Sequence, residues 1–119
     1  MTSTKQQRVE LLGDLLEART PLAPIAAALT SFDWDSPPLV VLRREHVISV
    51  LRRFLSGEMQ ASVVREWADL VEVRDDIELE QAHSGPLRDA LFTLATPETQ
   101  GHLDAALAAS LVARLTSVP

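Results

Sequence analysis

Residues 44–73 read REHVISVLRRFLSGEMQASVVREWADLVEV, and this stretch decides the fold. Val47, Val50, Leu51, Phe54 and Leu55 recur at the three- and four-residue spacing of a helix face, while Glu45, Arg52 and Arg53 point elsewhere. Ser56-Gly57 ends that helix over 44–56, because glycine enters the left-handed conformation of a helix C-terminus without steric cost. After the tight link Glu58-Met59-Gln60 the helical period resumes over 61–73, with Val64, Trp67, Ala68 and Val71 on one side. A link this short predicts an antiparallel pair.

The same period extends in both directions. A helix over 5–18 carries Val9, Leu11, Leu12, Leu15 and Leu16 as one stripe. A short one over 21–29 follows, with Thr20 as its cap and Pro21 at its first position. Thr30 to Pro38 is a loop closed by a double proline. Leu39-Val40-Val41-Leu42 is extended, but four residues without a partner segment do not make a sheet, so it reads as chain docked on helices. Val73 to Glu80 is irregular, with Ile77 and Leu79 alternating with acids and pinning the segment. Helices over 85–95, opened by Ser84, and over 104–116, capped by Asp104, complete the chain. Without a sheet, helix must pack on helix. The expectation is an all-α antiparallel bundle of about four longer helices and one short one. It is a single domain, 1–119, with residues 1–41 packed on the 42–117 bundle.

A chain of 119 residues has room for one core, and size scaling gives a folded surface of roughly 6,400 Å². The absence of cysteine excludes disulfides, thiolate metal sites and cysteine nucleophiles. No apolar run approaches the ~20 residues that span a bilayer, and the first residues lack the apolar stretch of a signal peptide. The expected location is therefore cytoplasmic, with no membrane partner.

Charge is concentrated. Eleven Lys and Arg against 17 Asp and Glu give a net charge of −6. Residues 66–80 hold Glu66, Asp69, Glu72, Asp75, Asp76, Glu78 and Glu80 against Arg74 alone, so this window carries the whole excess. An acidic chain repels nucleic-acid phosphate, which argues against direct nucleic-acid binding. The window is either a solvated face serving solubility or a negative patch that meets a basic protein. Arg74 is the candidate bridge to Asp75, Asp76 or a helix C-terminus, setting the loop shape and leaving other carboxylates free.

Catalytic patterns are missing. There is no G-x-S-x-G elbow, no H-E-x-x-H spacing among His46, His83 and His102, and no phosphate-cradling glycine loop. The histidines read as exposed or capping residues. Asp75, Asp76, Glu78 and Glu80 lack the glycine turn and regular spacing of an EF-hand. No cofactor and no metal are expected, and the chain reads as a non-enzyme. Trp67 belongs to the core. Trp34, between Asp33 and Asp35, either folds over a bundle end or anchors a partner.

The segment Val50-Leu51-Arg52-Arg53-Phe54-Leu55-Ser56-Gly57-Glu58, its link, and the helix through Trp67 resemble the bacterial self-protective immunity proteins of the colicin D type. Arg74-Asp75-Asp76-Ile77 and Phe92-Thr93-Leu94-Ala95-Thr96-Pro97-Glu98 resemble small uncharacterised bacterial proteins loosely associated with that group, so that the resemblance spans about Leu42 to Glu98 and leaves the first 40 residues unmatched. The resemblance implies a four-helix bundle that inactivates a transfer-RNA-cleaving toxin by placing carboxylates in its basic cleft. It transfers no individual contact residue. From charge density alone, the partner-binding candidates are Asp69, Glu72, Asp75, Asp76, Glu78 and Glu80. The function expected is an immunity- or antitoxin-like inhibitor of a basic toxin. The competing reading is an adaptor module that binds through an apolar groove, with Trp34 or the 39–42 run as anchor.

Overall fold

The computed structural model describes residues 4–32, 37–97 and 102–117. Among them, six α-helices, five longer and one short instead of the expected four and one, fall at the segments the apolar period marks, with ends displaced by no more than two residues. They are α1 (Thr4–Leu16), α2 (Leu22–Leu29), α3 (Arg44–Leu55), α4 (Ala61–Glu72), α5 (Ser84–Ala95) and α6 (Ala105–Ser117). The protein is therefore mostly helical. No described helix is long and apolar enough to cross a membrane.

One buried core draws on all six helices: Leu12 and Leu15, Leu22 and Leu29, Val50 and Leu51, Val64 and Trp67, Leu87 and Leu91, Leu111 and Leu115. All four positions assigned to the inner face of α4 are buried, and Trp67 is sealed completely, its indole N–H donating to the Leu15 carbonyl at 2.6 Å. That bond satisfies the one polar atom of the largest core side chain. Leu55 departs from its expected place and is 42% exposed at the last position of α3.

The pairing of helices also departs from expectation. α3 packs chiefly on α6 and α4 on α5, while α3 and α4 touch only lightly. A short link permits two helices to pair but does not oblige them to. Their apolar faces are covered by the last two helices instead, and Met59 of the link is itself buried.

The run at 39–42 is not merely docked chain. Strand β1 (Val40–Leu42) pairs in parallel with β2 (Ile77–Leu79), in the register Val40 with Ile77, Val41 with Glu78 and Leu42 with Leu79. The alternation of Ile77, Glu78 and Leu79 was the period-two signal of a strand. Its partner lies beyond two helices, and the α3–α4 crossover brings the chain back in the same direction. So small a ladder is marginal alone. It is held because α1 packs on β1 and α5 on β2. A 3₁₀ turn (Gln81–His83) leads from β2 into α5.

Two helix ends close alike. At α3, Gly57 N–H donates to the Phe54 carbonyl and Glu58 N–H to that of Arg53, with Gly57 at φ 84°. At α1, Ala18 N–H donates to Leu15 and Arg19 N–H to Asp14, with Ala18 at φ 51°. Both are Schellman closures. Arg53 joins them, donating to the Glu17 and Ala18 carbonyls at 3.2 and 2.9 Å while Glu58 holds its Nε at 2.9 Å. Other caps divide. Asp104 caps α6 through the Leu107 N–H at 2.8 Å as expected. Thr20 does not cap α2, because Pro21 occupies the extended N-cap position itself after a cis Thr20–Pro21 bond.

A methyl group at Gly57 meets no atom within 4 Å. Gly57→Ala therefore costs only the left-handed backbone penalty, about 1 kcal/mol, seen as a lower urea midpoint at unchanged m-value. In Ala18→Gly, a similar relief is offset by loss of a buried methyl worth about 0.8 kcal/mol, and the midpoint stays nearly fixed.

Candidate partner-binding surface

The six candidate carboxylates follow one another across the exit of α4, the entry to β2 and the turn after it, and the backbone there sends them to different places. Asp76 is the first correction. It is fully buried, with 0% of its surface exposed, and cannot belong to a docking surface. Arg74 grips it as a fork, Nε to Oδ1 and an NH2 to Oδ2, both at 2.9 Å. Arg8, from α1, adds Nε and NH2 donors to Oδ2 at 3.0 and 2.8 Å. Burial opposes the charged form of Asp76, but the hydrogen bonds from Arg74 and Arg8 outweigh it and hold the carboxyl below its ordinary value. Its backbone carbonyl meanwhile accepts the N–H groups of Leu39 and Val40, opening the strand pair.

Arg74 thus bridges to Asp76, one of the partners the sequence offered it. Arg8 was missed. It lies 68 residues from Asp76, and no local spacing points from one to the other. It also stacks over the Phe32 ring at 5.6 Å.

Glu80 is partly covered and pairs with the buried His83, and this hydrogen bond lowers the Glu80 carboxyl below its usual range. His83 is therefore neither exposed nor a side-chain cap. His46 does cap: its Nδ1 accepts the Arg43 backbone N–H at 2.9 Å. Burial lowers the His46 imidazole below its ordinary value against the pull of Glu17 and Glu45, which keeps that nitrogen free to accept. Asp69 stays exposed on α4, one turn from Arg65 at 3.8 Å.

Glu72, Asp75 and Glu78 are exposed and line one depression of about 520 Å³, whose lining also includes Leu79, Leu91 and Arg88. Among the described residues these three form no ion pair. Arg74, the single base of the acidic window, is spent on Asp76, and Arg88 in the same lining pairs with none of the three. No group of three or more His, Asp or Glu among the described residues is placed to hold a metal ion.

The alternative anchors fare differently. Val40 to Leu42 is committed to the strand pair, with Leu42 at 0% exposure, Leu39 and Val40 half-buried and Val41 exposed. Trp34 lies outside the described residues. Comparison of the chain with family models, with curated proteins and with solved structures returns no match.

Asp76→Asn preserves shape but leaves two guanidiniums around a neutral amide. The expected loss of stability is about 3 kcal/mol, the low end for a broken buried pair, because Arg8 and Arg74 keep 15% and 10% of their side-chain surface in water. Because the folded carboxyl titrates below its ordinary 3.8, the wild-type contribution is complete above about pH 4 and is lost as the pH falls through the depressed value. Urea midpoints measured from pH 6 to pH 2 should show a shallower acid decline in the variant.

Proposed function

We propose that the protein is a non-catalytic inhibitor of the immunity or antitoxin type, which occupies a basic surface of a protein toxin. The observation that supports this reading is the set of three carboxylates outside any ion pair, Glu72, Asp75 and Glu78, which outnumber Arg88 around one depression. Asp69 and Glu80 are not part of its lining, and Asp76 takes no direct part. Such a surface steers a basic partner and positions carboxylates where that partner would take phosphate. Resemblance over 42–98 to colicin D-type immunity proteins favours a ribonuclease as the target. The helical packing, α3 with α6 and α4 with α5, is compatible with the bundle that this resemblance implies.

The test uses the product of the neighbouring gene as partner. Association measured by stopped flow should slow steeply between 50 mM and 500 mM salt. The triple variant Glu72→Lys, Asp75→Lys, Glu78→Lys should lose at least about 100-fold in affinity, since each like-charge contact across the interface costs on the order of a kcal/mol or more. Asp76→Asn should leave the salt dependence unchanged in whatever fraction remains folded. Equal affinity for wild type and triple variant would reduce the carboxylates to solvated surface.

A further inference from the structure

On the far side of the α4 exit lies a second recess. Leu29, Thr30 and Phe32, at the end of α2, face Leu70 and Val73 across an apolar groove of about 670 Å³ floored by Leu15. Val73 is 62% exposed, the most of any large apolar side chain among the described residues, and the core does not need it. The α2 wall carries no ionisable residue from Leu22 to Leu29. The α4 wall is bordered by acids, with Asp69 beside Leu70, and Glu72 and Asp75 on either side of Val73 and Arg74.

Arg74 lines both this groove and the acidic depression. Its guanidinium is turned onto Asp76 at 2.9 Å. The second guanidinium on that carboxylate, Arg8, stacks on Phe32 of the groove wall. One buried ionic node therefore contacts Phe32 on one side and holds Arg74 and Asp76, the chain neighbours of Asp75, on the other. A surface held in this way loses little freedom when it binds.

We infer that groove and depression form one continuous docking surface for a basic amphipathic segment of a protein partner. Apolar side chains of that segment seat between α2 and α4, and its Lys or Arg side chains reach Glu72, Asp75 and Glu78. The inference rests on the acidic docking reading and adds its apolar half. Charge complementarity selects the occupant, because three carboxylates against Arg88 leave the rim net negative once Arg74 is paired with Asp76. An acidic segment is repelled by the rim, and an uncharged apolar one leaves the carboxylates unmatched. A second copy of a chain with a net charge of −6 is disfavoured by self-repulsion.

The probe is a synthetic helical peptide with leucines on one face and lysines on the other, titrated into the ¹⁵N-labelled full chain. Two controls carry serine for leucine, or glutamate for lysine. The leucine–lysine peptide should shift the amides of Leu29, Leu70 and Val73 together with those of Glu72 and Asp75. Val73→Ser, at an exposed position that leaves the fold intact, should weaken it by about tenfold, the loss of one seated aliphatic group. Val73→Ser should not affect the serine–lysine control. The variant Glu72→Gln, Asp75→Asn, Glu78→Gln should weaken both lysine peptides and remove their salt dependence. If Val73→Ser changes nothing while the carboxylate variant abolishes binding, the groove is idle and only the acidic reading survives. If the carboxylate variant binds as well as wild type, both readings fall. If the leucine–glutamate peptide binds equally well, or if Val73 matters only to a concentration-dependent dimer, the stated occupant is wrong.

Discussion

A carboxylate with no solvent contact is the constraint on which the rest of this structure depends. An unpaired ion in such a place costs several kcal/mol, so Asp76 is tolerable only with guanidiniums on both oxygens. Arg74 arrives from the end of α4 and Arg8 from α1. The main chain of the same residue starts the pairing of β1 with β2. Three regions far apart in sequence, at Arg8, at Leu39-Val40 and at Arg74 to Asp76, are thereby tied at one point. The strand pair, too small to stand alone, gains a fixed end. The node alone adds little net stability. Its effect is geometric, since few arrangements of α1, α4 and the strands satisfy it.

That geometry also sets the surface. Arg74 is the only base in a window of seven acids, and an outward Arg74 would neutralise its neighbours. Turned inward, it leaves Glu72, Asp75 and Glu78 facing only Arg88 in the lining of their depression, three acids against one base. The buried ion pair and the exposed anionic rim are thus two consequences of one side-chain orientation. Arg8 carries the same effect to Phe32, which places an apolar wall next to that rim.

The helices were legible because their signal is local. Leu87, Ala90, Leu91 and Leu94 announce a buried face through spacing alone, and all four are buried. So are the inner residues of α4. The strand pair was missed, although Ile77-Glu78-Leu79 showed the alternation. A strand is defined by its partner, and Val40 to Leu42 lies two helices away. Helix partners were misjudged for a related reason: link length limits which helices can touch but does not say which apolar faces fit. At the candidate site, the density of acids was plain and the bridging role of Arg74 could be anticipated. The burial of Asp76 could not, because Asp75 and Asp76 are chemically alike in sequence and only the fold faces one to water and the other to Arg8.

By itself, the sequence determined where the helices run, which of their faces are apolar, where Gly57 and Asp104 end and begin them, and that the charge excess lies between residues 66 and 80. These follow from periodicity and backbone chemistry within a few residues. Only the tertiary structure decided which carboxylates remain on the surface, which helix covers which, and that an apolar groove adjoins the acids. Those outcomes depend on contacts across as many as 71 residues, and desolvation, which chooses between a paired and a solvated charge, is a property of the assembled fold.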